Sequence, residues 1–310
     1  MTPKPCVTHR PPRRADRAAG AGLAGPAPPL QRGAALGAAL LAGLLAAACA
    51  GPPARPPSPT QTLALTSSER AATALQRGDL AQAQTRYQAA LGAAVALQDP
   101  ALTGAALLNL TLVSARLGDL AAAHGHVDRI LDAPGQFDAA IRARASARKA
   151  LLYLDAGEKD QALRWAEQAG ALCASPCPLA AMLGNLRGHL ALASGDAAAA
   201  AALAGTAAAA AAAAGQDGER AAALRLQALA AGRLGDPGRA AESLAQALQI
   251  DRRLGQPDRV ALDLLFAGDN EQQRGNRALA DDFYQRALSV YEAVGDARGA
   301  EQLRRRLSRR

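Results

Sequence analysis

Two cysteines four residues apart, Cys173 and Cys177 in the segment CASPC, are the closest pair of reactive side chains in the body of the chain. Thiols at that spacing, bent by Pro176, can close a small disulfide loop in an oxidising compartment or stay as free structural thiols. A metal site would want two further ligands nearby, and the closest histidine in sequence is His189. His124 and His126 stand two apart on a helical stretch and therefore point to different faces. Gly20, Gly22 and Gly25 match a dinucleotide-loop spacing, yet no strand precedes them. The chain has no phosphate-cradling Walker loop, no nucleophile elbow and no zincin helix, and its carboxylates, Asp281 and Asp282 included, are scattered over helix surfaces. This inventory points away from an enzyme, and no metal, cofactor or small-molecule substrate is expected.

The elements that carry these residues are helices. Roughly a quarter of the 310 residues are alanine, the best helix former, and only 3% are aromatic, too few for the core of a sandwich or barrel. The net charge of +8 suggests nucleic acid until it is divided by position. Residues 1–32 carry six Lys or Arg and one Asp, and residues 298–310 carry six Arg and one Glu, so each end has a surplus of five. The remainder is then 8 − 5 − 5 = −2, which leaves the folded body without a basic face for nucleic acid.

The amino-terminal 48 residues read as a targeting segment. A basic, proline-rich opening is followed at residues 33–48 by GAALGAALLAGLLAAA, a positive n-region and then an apolar h-region ending in small residues. As a helix those sixteen residues would rise about 24 Å, short of the roughly 30 Å hydrocarbon core, which favours a signal peptide over an anchor. The stretch Leu45-Ala46-Ala47-Ala48-Cys49 resembles the lipobox of bacterial lipoproteins, with its leucine one place further from the cysteine than is usual in that family. The resemblance implies lipidation of Cys49, and Ala50 after it implies sorting to the outer membrane. Cleavage after Ala50 also satisfies the small-x-small rule. Residues 49–66 contain the run GPPARPPSPT and are expected to form a Pro-rich tether.

The rest of the chain repeats. Gly78-Asp79, Gly118-Asp119, Gly157-Glu158, Gly195-Asp196, Gly235-Asp236 and Gly275-Asn276 recur at intervals of 40, 39, 38, 40 and 40 residues. Periods in this range mean stacked helix pairs. Glycine can take the left-handed conformation that ends one helix, and the acidic or amide side chain after it can accept the free amides that open the next. Five residues after each glycine stands an alanine: Ala83, Ala123, Ala162, Ala200, Ala240 and Ala280. That recurrence is what a helix crossing with room only for a methyl group demands. A second set of turns follows 16 to 21 residues later, at Gln98-Asp99-Pro100, Pro134-Gly135, Ser175-Pro176, Gly215-Gln216-Asp217, Gly255-Gln256-Pro257 and Gly295-Asp296. The eight-alanine run at 207–214 is expected to be helical but thinly packed.

On these glycines and alanines the chain resembles the tetratricopeptide repeat (TPR) family, with Tyr87 and Tyr284 on its aromatic position and a period nearer 40 than the usual 34 or so. The resemblance implies an all-α, right-handed solenoid of about six helix pairs over residues 67–296, with residues 297–310 as a polar capping helix. It also implies that the first helix of each pair lines a concave groove. Carried onto this sequence, the polar groove positions are Arg116, Arg144, Asp155, Asn185, His189, Arg225, Arg233, Asp269, Gln272 and Gln273, interleaved with Leu112, Leu151, Leu192 and Leu229. Some family members hold a peptide carboxylate in a five-residue clamp. Asn109, Arg144 and Arg148 fall on three of its positions, while Ser68 and Ala72 depart from the other two.

The function expected is a non-catalytic scaffold or adaptor. A protein or peptide partner would sit in the groove, and the chain would be held by its lipid at the periplasmic, outer-membrane side of a bacterial cell envelope. The alternative is a regulatory or substrate-recruiting subunit of an envelope enzyme such as a peptidoglycan synthase or hydrolase.

Overall fold

The structure, a computed structural model, describes residues 56–308. The expected leader at 1–48, Cys49 with the tether as far as residue 55, and the last two arginines lie outside the described residues. Thirteen helices fill the described span, with no strand among the described residues. They form six pairs: α1 (Pro59–Gln76) with α2 (Leu80–Ala96), α3 (Pro100–Leu117) with α4 (Leu120–Leu131), and α5 (Ala139–Asp155) with α6 (Lys159–Leu172). Then come α7 (Ala180–Ala193) with α8 (Ala197–Ala213), α9 (Asp217–Arg233) with α10 (Pro237–Arg253), and α11 (Pro257–Gln273) with α12 (Arg277–Ala293), followed by α13 (Ala297–Ser308). The fold is an all-α helix-pair solenoid.

The pairs are built by the local signals that repeat along the chain. All six first-turn glycines have φ between 79° and 87°, the left-handed conformation that a side chain would oppose. After four of them the aspartate accepts an amide of the next helix's first turn, as Asp79 Oδ1 does from Gln82 N at 3.0 Å and Asp196 Oδ1 from Ala199 N at 2.8 Å. Glu158 and Asn276 do not cap with their side chains. Glutamate is one methylene longer, and the Asn276 amide donates to Glu271 Oε2 instead. Five of the six recurrent alanines are fully buried and Ala240 is 2% exposed, so each lies at a helix crossing as its spacing requires.

Two expectations are corrected. The first helix begins at Pro59, eight residues before the boundary anticipated at 67, because Ser58 accepts the Gln61 amide as N-cap and Pro59 fits the first helical turn. A proline-rich composition had masked a helix start. The alanine run of α8 is not thinly packed: Ala207 and Ala211 are buried, and a methyl group built on Gly184 would lie 3.0 Å from the Ala207 Cβ. Glycine facing alanine lets α7 and α8 approach until small residues suffice to fill the interface.

Contacts between helices explain the curvature. Each helix packs on the next in sequence, and the first helices α1, α3, α5, α7, α9 and α11 also touch one another in an unbroken row. No second helix approaches the next second helix among the described residues. The row of first helices is therefore the tight, inner side of the stack, and the superhelix curls far enough to return on itself. A methyl group built on Gly78, in the first turn of the first pair, would stand 2.9 Å from the Val294 carbonyl at the end of α12. At the carboxyl end, Ala300 and Leu303 of α13 are buried against the cluster around Leu264, Tyr284 and Tyr291.

Candidate functional site

The curl turns the concave face from an open groove into a recess of about 550 Å3 lined by α3, α5, α7, α9 and α11. Leu112, Leu151, Leu154 and Leu192 supply its apolar surface, and Arg148, Arg233, Arg259, His189 and Asp155 supply its polar groups. Arg116 on α3 and Asp258 on α11 pair at 3.3 Å beside the lining residues Ala115 and Arg259, bridging the second pair of helices to the sixth.

Burial tunes the recess. Arg148 is half-buried, and desolvation lowers its pKa, with the Glu219 carboxylate opposing and the Arg259 charge adding to the fall. Desolvation, helped by the Arg225 charge, lowers His189 below the usual imidazole value, which leaves it neutral at pH 7. Asp155 is raised by desolvation, against the pull of Arg259. Among the described residues, no carboxylate lies within ion-pair distance of Arg148, Arg233 or Arg259.

Of the residues anticipated from sequence, Arg148, Asp155, His189 and Arg233 come together in this recess, and Arg116 stands at its edge. The others serve elsewhere. Arg225 is buried in an ion triad, its Nε on Asp263 Oδ1 at 2.6 Å and its NH2 group on Asp251 Oδ2 at 2.5 Å, so it is closed to a partner. Asn185 is buried and donates to the backbone carbonyl and side chain of Glu219, each at 3.0 Å. Asp269 accepts the Tyr284 hydroxyl at 2.6 Å and pairs with Arg306 of α13. Gln272 also lies 3.1 Å from that hydroxyl, and Gln273 faces Gly232. Asn109 is half-buried on α3 and Arg144 is exposed on α5; neither lines the recess. Leu229 is also outside it.

Arg259 was missed. It stands in the first turn of α11, whereas the groove positions inferred for that helix lie near its end, and only the accumulated curl of four repeats carries it opposite Arg148. Cys173 and Cys177 are joined by a disulfide, with Cα atoms 5.4 Å apart, in the loop between α6 and α7. Both pack against Ala169, Leu179 and Leu183, away from the recess. Among the described residues no group of three or more His, Cys, Asp or Glu is placed to hold a metal ion.

No family model matches the chain, and no curated protein matches it. Solved structures do. BtubC (BKLC) from P. vanneervenii is 17% identical with a TM-score of 0.50, over 77% of this chain and 93% of that one. A signal-transduction ATPase with a tetratricopeptide repeat sensor, from Pyrococcus horikoshii, is 11% identical with a TM-score of 0.56, over 77% of this chain and 35% of that one. A Rap protein complexed with competence and sporulation factor is 11% identical with a TM-score of 0.55, over 77% and 68%. The chain spans about a third of the ATPase's length. At these identities the likeness concerns the fold, which is TPR-like.

Proposed function

We propose that this protein is a non-catalytic docking scaffold of the bacterial cell envelope, held to the membrane by a lipid on Cys49 and binding a protein partner on its concave face. The observation that carries the docking role is the recess itself. Five helices converge on it, and its wall holds three arginines with no carboxylate among the described residues at ion-pair distance, beside four leucines that are only partly buried. Support also comes from the fold shared with a Rap protein that is complexed with competence and sporulation factor. The anchoring role rests on the lipobox-like stretch ending at Cys49 and the Pro-rich run after it. From these we place the protein on the periplasmic side, at the outer membrane.

Crosslinking in intact cells, followed by purification from detergent-solubilised membranes, tests the docking role. A partner captured by the wild type and lost with Arg233→Glu plus Arg259→Glu supports it, while capture indifferent to those changes removes the concave face as the docking surface. If the captured partner is an enzyme whose rate changes when the purified scaffold is added, the role narrows to a regulatory subunit. Palmitate labelling that persists in Cys49→Ala would end the lipid-anchor reading.

A further inference from the structure

The recess takes up only part of the concave face, and the positive side chains in its lining outnumber the carboxylates there. Its volume of about 550 Å3 falls in the 300–1,000 Å3 range of pockets that bury whole small ligands. With His189 neutral, Arg148, Arg233 and Arg259 stand in the lining with Asp155 as its one carboxylate, while Glu219 acts on Arg148 from outside the lining and at more than ion-pair distance. The protein treats its most buried arginine differently: Arg225 receives two carboxylates in direct contact. Arg148 is half-buried against Leu151 and Leu152 of its own helix and faces another arginine, Arg259, across the recess. Holding the partly desolvated Arg148 guanidinium beside those of Arg233 and Arg259 costs free energy that an anion between them would offset. Guanidinium is also the side chain best shaped to take a carboxylate or phosphate through paired N–H donors. The leucines beside it suit an aliphatic chain about the size of their own.

We propose that the concave recess is a binding site for a small organic oxyanion bearing a short aliphatic group, gripped by Arg148, Arg233 and Arg259 and packed on Leu112, Leu151, Leu154 and Leu192. This departs from the sequence-based expectation of a groove reserved for protein, and it does not depend on the identity or even the existence of a partner. The oxyanion is the shared chemistry of an aliphatic carboxylate and an aliphatic phosphate monoester, and separate probes distinguish them.

Isothermal titration of the detergent-solubilised full-length protein with 4-methylpentanoate, isopentyl phosphate and the neutral 4-methylpentanamide tests the site. One or both anions bind with a stoichiometry of one and the amide does not; the tighter anion names the ligand class. Arg148→Gln and Arg259→Gln each weaken binding about tenfold or more, as expected for loss of a charge-assisted contact. Arg239→Gln, on an exposed part of α10, leaves it unchanged. Arg233 and Arg259 are exposed, so their variants report on binding even if Arg148→Gln fails to fold. The site is refuted if neither anion binds at millimolar concentration, if the amide binds as well as the anions, or if Arg233→Gln and Arg259→Gln bind as the wild type does. Each of these outcomes is read without any protein partner and so leaves the docking test to stand or fall separately.

Discussion

Arg116 and Asp258 are 142 residues apart in sequence and 3.3 Å apart in space, an ion pair that ties the second helix pair to the sixth across the concave face. In a stack whose helices pack mainly on near neighbours, this pair is a long-range closure, like the approach of Gly78 to Val294. It sits where α3 and α11 meet the rim of the recess, so it bears on access as well as on shape.

Because both partners are about one-third exposed, the pair contributes little to stability, at most about 1 kcal/mol, which is a shift of roughly 2–4 °C in a domain of this size. Its effect should be on curvature. Asp258→Asn is expected to leave Tm nearly unchanged while broadening the distance distribution between spin labels placed at residues 80 and 296, measured by pulsed electron resonance. An unchanged distribution would show that packing alone sets the curl.

The buried triad makes stability depend on pH. Burial raises Asp251 to about 7, with the neighbouring Asp263 charge adding and Arg225 opposing. Asp263 is raised as well, chiefly by burial. Protonation of Asp251 leaves one negative charge, on Asp263, facing Arg225. A folded-state pKa above the unfolded value means that the native protein binds more protons between about 4 and 7. Stability from this group is therefore fully present near pH 4, falls as pH rises through that window, and is flat above it. Asp251→Asn should remove this fall, read as a smaller loss of Tm between pH 5 and pH 8 than in the wild type. Arg225→Met should instead cost about 3–5 kcal/mol, since it strands a buried carboxylate without its cation.

Glycines divide by what stands beside them. A methyl group on Gly268 would lie 2.6 Å from the Tyr284 ring, which is fully buried and held through its hydroxyl by Asp269. Gly92, in mid-helix on α2, faces open space. Gly268→Ala is expected to lower stability by about 1–3 kcal/mol through overpacking, whereas Gly92→Ala should raise it by up to about 1 kcal/mol through helix propensity. Urea titrations followed by circular dichroism give both signs in one experiment.

The contrast between these residues shows what was legible in the sequence. The turn glycines and the six alanines were readable because a turn or a helix crossing is specified within a dozen residues. Arg225 was assigned to the groove on position alone, since its partners Asp251 and Asp263 lie 26 and 38 residues away on two other helices. Arg259 escaped notice because the curl that brings it to the recess is a sum over repeats, and no single repeat contains it. Burial of an arginine and closure of a superhelix are both properties of distant contacts, which a local pattern does not encode.

Size discrimination at the recurrent alanines is open to a direct comparison within one helix. Ala200 of α8 is fully buried where the helix crosses its neighbours, and Ala202, two residues on, is exposed. Leucine at either position is a good helix former, so propensity changes little. Ala200→Leu has nowhere to put three further carbons and should cost about 1–3 kcal/mol, while Ala202→Leu should stay within about 0.5 kcal/mol of the wild type. The two urea midpoints settle the matter: if they shift equally, the period of small residues does not mark the crossings. A large shift for Ala200→Leu alone shows that the methyl-sized contact is what spaces one helix pair from the next, and that the same limit holds at Ala83, Ala123, Ala162, Ala240 and Ala280 by their equivalent burial.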